Sequence, residues 1–192
     1  MFNMRFEVLP GLPPYGPPAV SFTENGPREW REGLVVRFHP TASEPWVGNF
    51  LGGLTKFSSV LNHPNGSDVI VITMGEAVVV DPETRSLRDH MGSQIEEIFV
   101  LEEEKFVVFR SIVDFCAITA DNTKWHSPQI SWDGFRNLAR RGLELSGEAW
   151  TPIGDAWVPF KLDLSNGQCL DAIYQAEMSR AREVVPRPMP KS

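Results

Sequence analysis

The sequence predicts an all-β fold, mostly antiparallel, made of propeller-blade-like repeats of about 40 residues and ending in one helix; a β-sandwich or partly open barrel is the alternative. Three observations carry this. Short runs of branched and aromatic residues recur along the chain, as in VVRFH, VIVIT and FVVFR, and such side chains fit a pleated surface. Sixteen Pro and fifteen Gly break the chain between those runs. Finally, an apolar run followed by an acidic turn returns at a nearly fixed interval.

Taken in order, residues 1–32 form a proline-rich extended N-terminal arm. LPGLPPYGPP, Leu9 to Pro18, favours polyproline II. The apolar side chains of Phe2, Phe6, Val8 and Leu12 suit an arm laid across the domain; PPYGPP as an SH3-type ligand is the other reading. Residues 33–185 read as a single β-rich domain ending in a helix, and residues 186–192 as a flexible tail. Within the domain, GLVVRFH is a strand. DVIVITM and EAVVVD, Asp68 to Asp81, form a hairpin about Gly75. Gln94 to Thr119 holds two or three strands with a charged turn at Glu102 to Lys105, although SQIEEIFVLEEEKF has some helical propensity. GLELSGEAW and DAWVPFKLDL alternate as half-buried antiparallel strands do, with the turn TPIGD between them. Asn166-Gly167 is a strong turn signal. Leu170, Ile173, Tyr174 and Met178 have helical spacing, which places the helix at Leu170 to Val185.

The recurrence stacks VVRFHP from Val35, VVVDPE from Val78, AITADN from Ala117 and FKLDLS from Phe160. Their turns fall at His39, Asp81, Asp121 and Asp163, in steps of 42, 40 and 42 residues. One small antiparallel sheet cannot bury both faces alone, so units of this size stack on one another. The chain has room for about four, the first incomplete.

The 192 residues suffice for one ordinary domain with a core that needs no disulfide or metal. A net charge of -7 disfavours nucleic acid and anionic membranes as partners. The N-terminus lacks a secretory pattern, and no apolar run approaches the ~20 residues of a membrane span, so the expected compartment is the cytoplasm. Cys116 and Cys169 lie in apolar runs, as buried free thiols do.

The stretch WHSPQISWDGFRNLARRGLELSGEAWTPIGDAWVPFKLDLSNGQ resembles a group of bacterial β-rich proteins of unknown activity. Their shared phrases correspond here to Ile130–Gly134, Gly147–Trp150 and Trp157–Gly167, with Glu44–Gly53 upstream. The resemblance implies a β-rich stand-alone domain and transfers no catalytic roles.

No nucleophile elbow, P-loop or dinucleotide fingerprint is present. His39, His63, His90 and His126 lack metal-site spacing, so no metal and no cofactor are expected. The six Trp residues are prominent for this length. Core packing accounts for most of them, and a groove lined by Trp and Asp is the competing account. The candidate ligand-binding residues on that account are Trp132, Asp133, Trp125, Trp46 and Asp121. The leading functional expectation is a non-catalytic binding module with an immunity-type or other protein partner. A small-ligand or carbohydrate binder using the Trp-rich turns is the alternative. A hydrolase built on His39 with Asp81 or Asp121 is the third.

Overall fold

The computed structural model describes residues 5–22 and 32–171. They form four four-stranded sheets. Sheet I holds β1 (Phe6–Leu9), β2 (Val20–Phe22), β3 (Leu34–Phe38) and β4 (Trp46–Phe50) in the order β1-β3-β4-β2. Sheet II is β5 (Ser59–Asn62), β6 (Val69–Thr73), β7 (Glu76–Asp81) and β8 (Ser86–Gly92); sheet III is β9 (Ile95–Leu101), β10 (Phe106–Ser111), β11 (Phe115–Thr119) and β12 (Lys124–His126). Sheet IV is β13 (Phe135–Arg141), β14 (Glu144–Thr151), β15 (Ala156–Asp163) and β16 (Gln168–Cys169). In the last three sheets, neighbours in sequence are neighbours in space.

The blade-like repeat of about 40 residues is therefore real: each unit is one four-stranded sheet. None of the four sheets closes into a barrel. Among the described residues the one helical element is a 3-10 turn at Ile153–Asp155. Of the expected C-terminal helix, Leu170 and Asp171 are described and are not helical; its remaining residues and the 186–192 tail lie outside the described residues.

Asp81 and Asp163 end the third strand of their sheets, and Asp121 sits just past the third strand of sheet III, so all three mark the turn into the fourth strand. His39 differs. It follows β3 in the turn to β4, and those strands occupy the centre of sheet I. The proline-rich segment supplies both edges of that sheet. β1 pairs antiparallel with β3, with Phe6 opposite Phe38, and β2 pairs parallel with β4, with Val20 opposite Gly48. The first repeat is completed by strands drawn from the expected arm.

Contacts divide the chain into two compact units. One is Met1–Val107 with Thr119–Asn122, and the other is Val108–Ile118 with Thr123–Ser192. In the first, Val36, Phe38, Trp46 and Phe50 of sheet I pack with Val69, Val71, Val78 and Val80 of sheet II. Phe38 stacks on Trp46 at 4.5 Å between centroids, and Phe22 on Phe50 at 4.8 Å. β6 is buried along its whole length, which is why VIVIT lacks polar alternation. In the second unit, Phe115, Phe135 and Phe160 form the aromatic heart, with centroid separations of 4.8, 5.4 and 6.1 Å. Leu145, Ala149 and Leu162 are buried in the same unit.

Candidate functional site

The repeated acidic turns are built by their own aspartates. Asp163 Oδ1 accepts the Ser165 N–H (2.8 Å) and hydroxyl (2.6 Å), and Oδ2 accepts the Asn166 amide (3.0 Å). Those bonds, led by the Ser165 hydroxyl, hold its pKa below the ordinary carboxylate value against the opposing effect of burial. Asp81 Oδ1 accepts the N–H groups of Glu83 (2.8 Å) and Thr84 (3.2 Å), and Oδ2 accepts the Thr84 hydroxyl (2.7 Å) and Arg88. Burial pushes the Asp81 carboxyl up, yet the bonds from Thr84, Glu83 and Arg88 outweigh it and leave the pKa lowered. Asp121, exposed, accepts the Thr119 hydroxyl.

Two of the expected site tryptophans fasten one sheet to the next at these same turns. Trp46, only 6% exposed, donates its indole N–H to the Pro82 carbonyl (2.8 Å). Glu83, one residue on, accepts the Thr41 N–H (2.5 Å) and hydroxyl (2.7 Å) from the β3–β4 turn. The Thr41 N–H is the largest influence lowering the Glu83 pKa. In the second unit, the half-buried Trp125 of β12 lies against the β15–β16 turn: a Cβ on Gly167 would sit 2.5 Å from its ring. Trp46 and Trp125 thus correspond in chain order, each on the fourth strand of its sheet and each against the third-to-fourth turn of the following sheet, although β4 is interior to sheet I and β12 is an edge of sheet III.

Trp132 and Asp133 belong to the turn leading into β13. Ser131, fully buried, donates its hydroxyl toward the Gly134 (2.5 Å) and Trp150 (3.2 Å) carbonyls, and the Trp132 N–H also reaches the Trp150 carbonyl (3.1 Å). This latch explains the ISWDG phrase. Asp133 is exposed and Trp132 half-buried, with its indole nitrogen enclosed and without a hydrogen-bond partner.

The aromatic cluster that sequence reasoning did not single out lies on sheet IV. Trp150 and Trp157 are directly opposite in the β14–β15 register, so they share one face. Phe160 and Leu162 occupy the other face and are buried, which turns both tryptophans away from the core. Arg136 lies 4.5 Å over the Trp157 ring and ion-pairs with Glu148 at 2.9 Å. Asn137 donates to Glu148 (2.6 Å), and the Trp150 indole to Asp155 (3.0 Å). The Arg136 bond leads in lowering the Glu148 pKa. A β-bulge between Arg136 and Ala139, with Asn137 at φ 54°, brings these side chains together. The signal was present as the GxAW and WxPF phrases, but the partner Arg136 lay in a stretch without periodicity.

Burial raises the Cys116 thiol to about 12, which suits packing and not nucleophilic attack. A cleft of about 620 Å³ in the first unit is lined by Glu32, Leu34, Leu51, Ser58, Thr73 and Met74, with Gly33, Gly52 and Gly53. None of the residues expected from sequence to bind ligand lines it. Among the described residues no group of three or more His, Cys, Asp or Glu is placed to hold a metal ion, and no helix is long and apolar enough to cross a membrane.

No protein-family model matches the chain. No curated protein sequence matches it. Among solved structures it is similar to hydrazine synthase of Kuenenia stuttgartiensis, with 15% identity over 73% of this chain and 42% of that one, TM-score 0.42. It is also similar to the Swd1 β-propeller domain of Myceliophteria thermophila (9% identity, 73% and 53% coverage, TM-score 0.41). A third is a eukaryotic initiation factor, at 7% identity, 73% and 39% coverage, and TM-score 0.37. The chain spans about half or less of each of these. The fold class rests on the four sheets themselves and not on these likenesses.

Proposed function

We propose that the chain is a non-catalytic binding module that engages a protein partner through the Trp150–Trp157–Arg136 face of sheet IV. That cluster is the observation that carries the reading. Trp and Arg dominate binding energy at protein interfaces, and side chains already held in place lose little entropy on contact. Here Glu148 fixes Arg136, and Asp155 fixes Trp150. The charge of -7 and the exposed Glu102 to Glu104 turn favour a basic partner, as an immunity-type role would require. The test is affinity capture from native extract with wild type and Trp157→Ala side by side. A partner retained by wild type and lost from the variant supports the reading; equal capture by both removes sheet IV as the contact surface.

A carbohydrate ligand is the second reading, favoured by two tryptophans on one sheet face beside Asp155 and Glu148. Titrating soluble oligosaccharides while following tryptophan emission decides it. The hydrolase reading gains nothing from Asp81, since both of its carboxylate oxygens bond within its own turn and to Arg88.

A further inference from the structure

The cleft of about 620 Å³ is built wholly within the first unit, takes no part in the sheet IV reading, and has walls of a definite chemistry. Its size suits one small molecule or one long side chain, since ligand pockets run to about 300–1,000 Å³. Leu34, which opens β3, and Leu51, which follows β4, supply apolar walls, and Met74 supplies another. Among the described residues lining it, Glu32 is the one that carries charge; no Lys, Arg or His accompanies it.

Met74 sits where turn chemistry would place a different residue. Met74 and Gly75 are the two central residues of the β6–β7 hairpin, with Thr73 paired to Glu76, and their φ angles are 47° and 87°. A two-residue turn with both φ positive favours Asn-Gly, because Asn tolerates the left-handed region better than an apolar side chain does. Turn stability therefore does not account for Met74, and burial accounts for it only by half, since the residue is 51% exposed. Its side chain lies over Gly52: a Cβ there would fall 2.8 Å from the Met74 sulfur and 3.0 Å from Cγ. A flexible, polarisable thioether is thus laid along a glycine wall of the cleft, and backbone strain held at a cavity is a pointer to function.

The charge beside it is held in place. Glu32 Oε2 accepts the Leu12 N–H (3.2 Å), and a Cβ on Gly11 would lie 2.8 Å from Oε1, so the carboxylate rests against the Gly11–Leu12 backbone. No described residue ion-pairs with it. Glu32 belongs to the cleft wall, so its charge lies within a side chain's length of the cavity. Ser58, also in the wall, accepts the Met74 N–H on its Oγ (2.9 Å), which leaves a second lone pair for another donor.

We infer that this cleft binds a primary ammonium group on an unbranched apolar stem, the chemistry shared by free alkylamines and lysine side chains. Leu34, Leu51 and Met74 cover the stem, and Glu32 supplies the counter-charge. An exposed carboxylate adds only modest affinity, so the stem gives most of the binding and the charge gives the discrimination.

The experiment titrates hexylamine, hexanol, hexanoate and Nα-acetyl-lysine amide into the isotope-labelled full chain at neutral pH. The amides of Gly33, Gly52, Gly53 and Ser58 and the methyl of Met74 report binding. The expected result is a saturable shift with hexylamine, binding of hexanol about threefold or more weaker, and none of hexanoate. A matching response to Nα-acetyl-lysine amide assigns the site to lysine side chains, and its absence assigns it to free amines; both support the inference. Glu32→Gln keeps an oxygen for the Leu12 N–H, so its melting should be unchanged while its hexylamine binding falls to the level of hexanol. Met74→Asn creates the favoured Asn-Gly turn, so it should melt no lower than wild type and yet bind hexylamine about threefold or more weakly. The inference is overturned if hexylamine moves none of those resonances or fails to saturate, if hexanoate binds as well, or if either variant binds hexylamine as wild type does.

Discussion

Gly167→Ala tests whether tryptophans fasten consecutive sheets at the acidic turns. Gly167 has φ 74°, in the left-handed region, where a Cβ costs about 1–2 kcal/mol. Its Cβ would also fall 2.5 Å from Trp125 Cε3 and 2.9 Å from Cζ3. Relieving such a contact in packed surroundings costs about 1–3 kcal/mol more. Gly142 is the internal control: its φ is 58°, and nothing lies within 4 Å of a Cβ built there. Gly142→Ala should therefore lose only the backbone share, about 1–2 kcal/mol, and Gly167→Ala about 2–5 kcal/mol. Urea denaturation with both variants reads the difference directly. A second comparison isolates the ring. In a Trp125→Leu background, Gly167→Ala should cost about as little as Gly142→Ala, because the clash is gone. Equal costs for the two glycines in the wild-type background would refute the placement of Trp125 against the turn.

Two tryptophan replacements should diverge. Trp46→Phe strands the buried Pro82 carbonyl and should cost about 1–3 kcal/mol, whereas Trp132→Phe removes an enclosed donor that has no partner and should be close to neutral by the same denaturation assay. Acid should unfold the protein progressively. The pKa values of Asp81, Glu83, Glu148 and Asp163 are lowered in the folded state from 3.8 for Asp and 4.5 for Glu, so the unfolded chain takes up protons first; their contribution is present above those values and is lost as pH falls through the lower folded ones. His63, 1% exposed, has its pKa lowered by burial, which outweighs Asp68, Asn65 and Asp89; the unfolded chain therefore binds its proton first as pH falls through 6.5, and His63→Phe should flatten the stability profile just below that pH while leaving the steeper acid limb. Cys116, with its thiol raised to about 12, should resist iodoacetamide at pH 8 in the native protein and react readily in urea; rapid native alkylation would contradict its burial.

The β6–β7 hairpin was legible because everything that specifies it is local: two buried apolar runs and Gly75 between them. The same holds for Asp81, whose carboxylate accepts backbone N–H groups two and three residues on, and for Asp163, whose carboxylate accepts the backbone N–H two residues on and the Asn166 side-chain amide, so each turn carries its own instructions. β8 and β13 were not legible. SLRDHMG and FRNLARR are edge strands, the first partly and the second largely exposed, and an edge strand takes its place from the neighbour it pairs with. The proline-rich segment hid β1 and β2 for a related reason: their partners, β3 and β4, lie some 25 to 30 residues away in sequence, and short extended segments look alike until something pairs with them. The candidate site shows the limit most clearly. Composition announced that tryptophan matters, and by itself the sequence determined strands, turns and their period of about 40 residues, all short-range properties of the chain. Only the tertiary structure decided which indole does what. Strand parity and cross-strand register turn Trp150 and Trp157 outward, and the packing of one sheet's last strand against the next sheet's turn commits Trp46 and Trp125 to holding the sheets together.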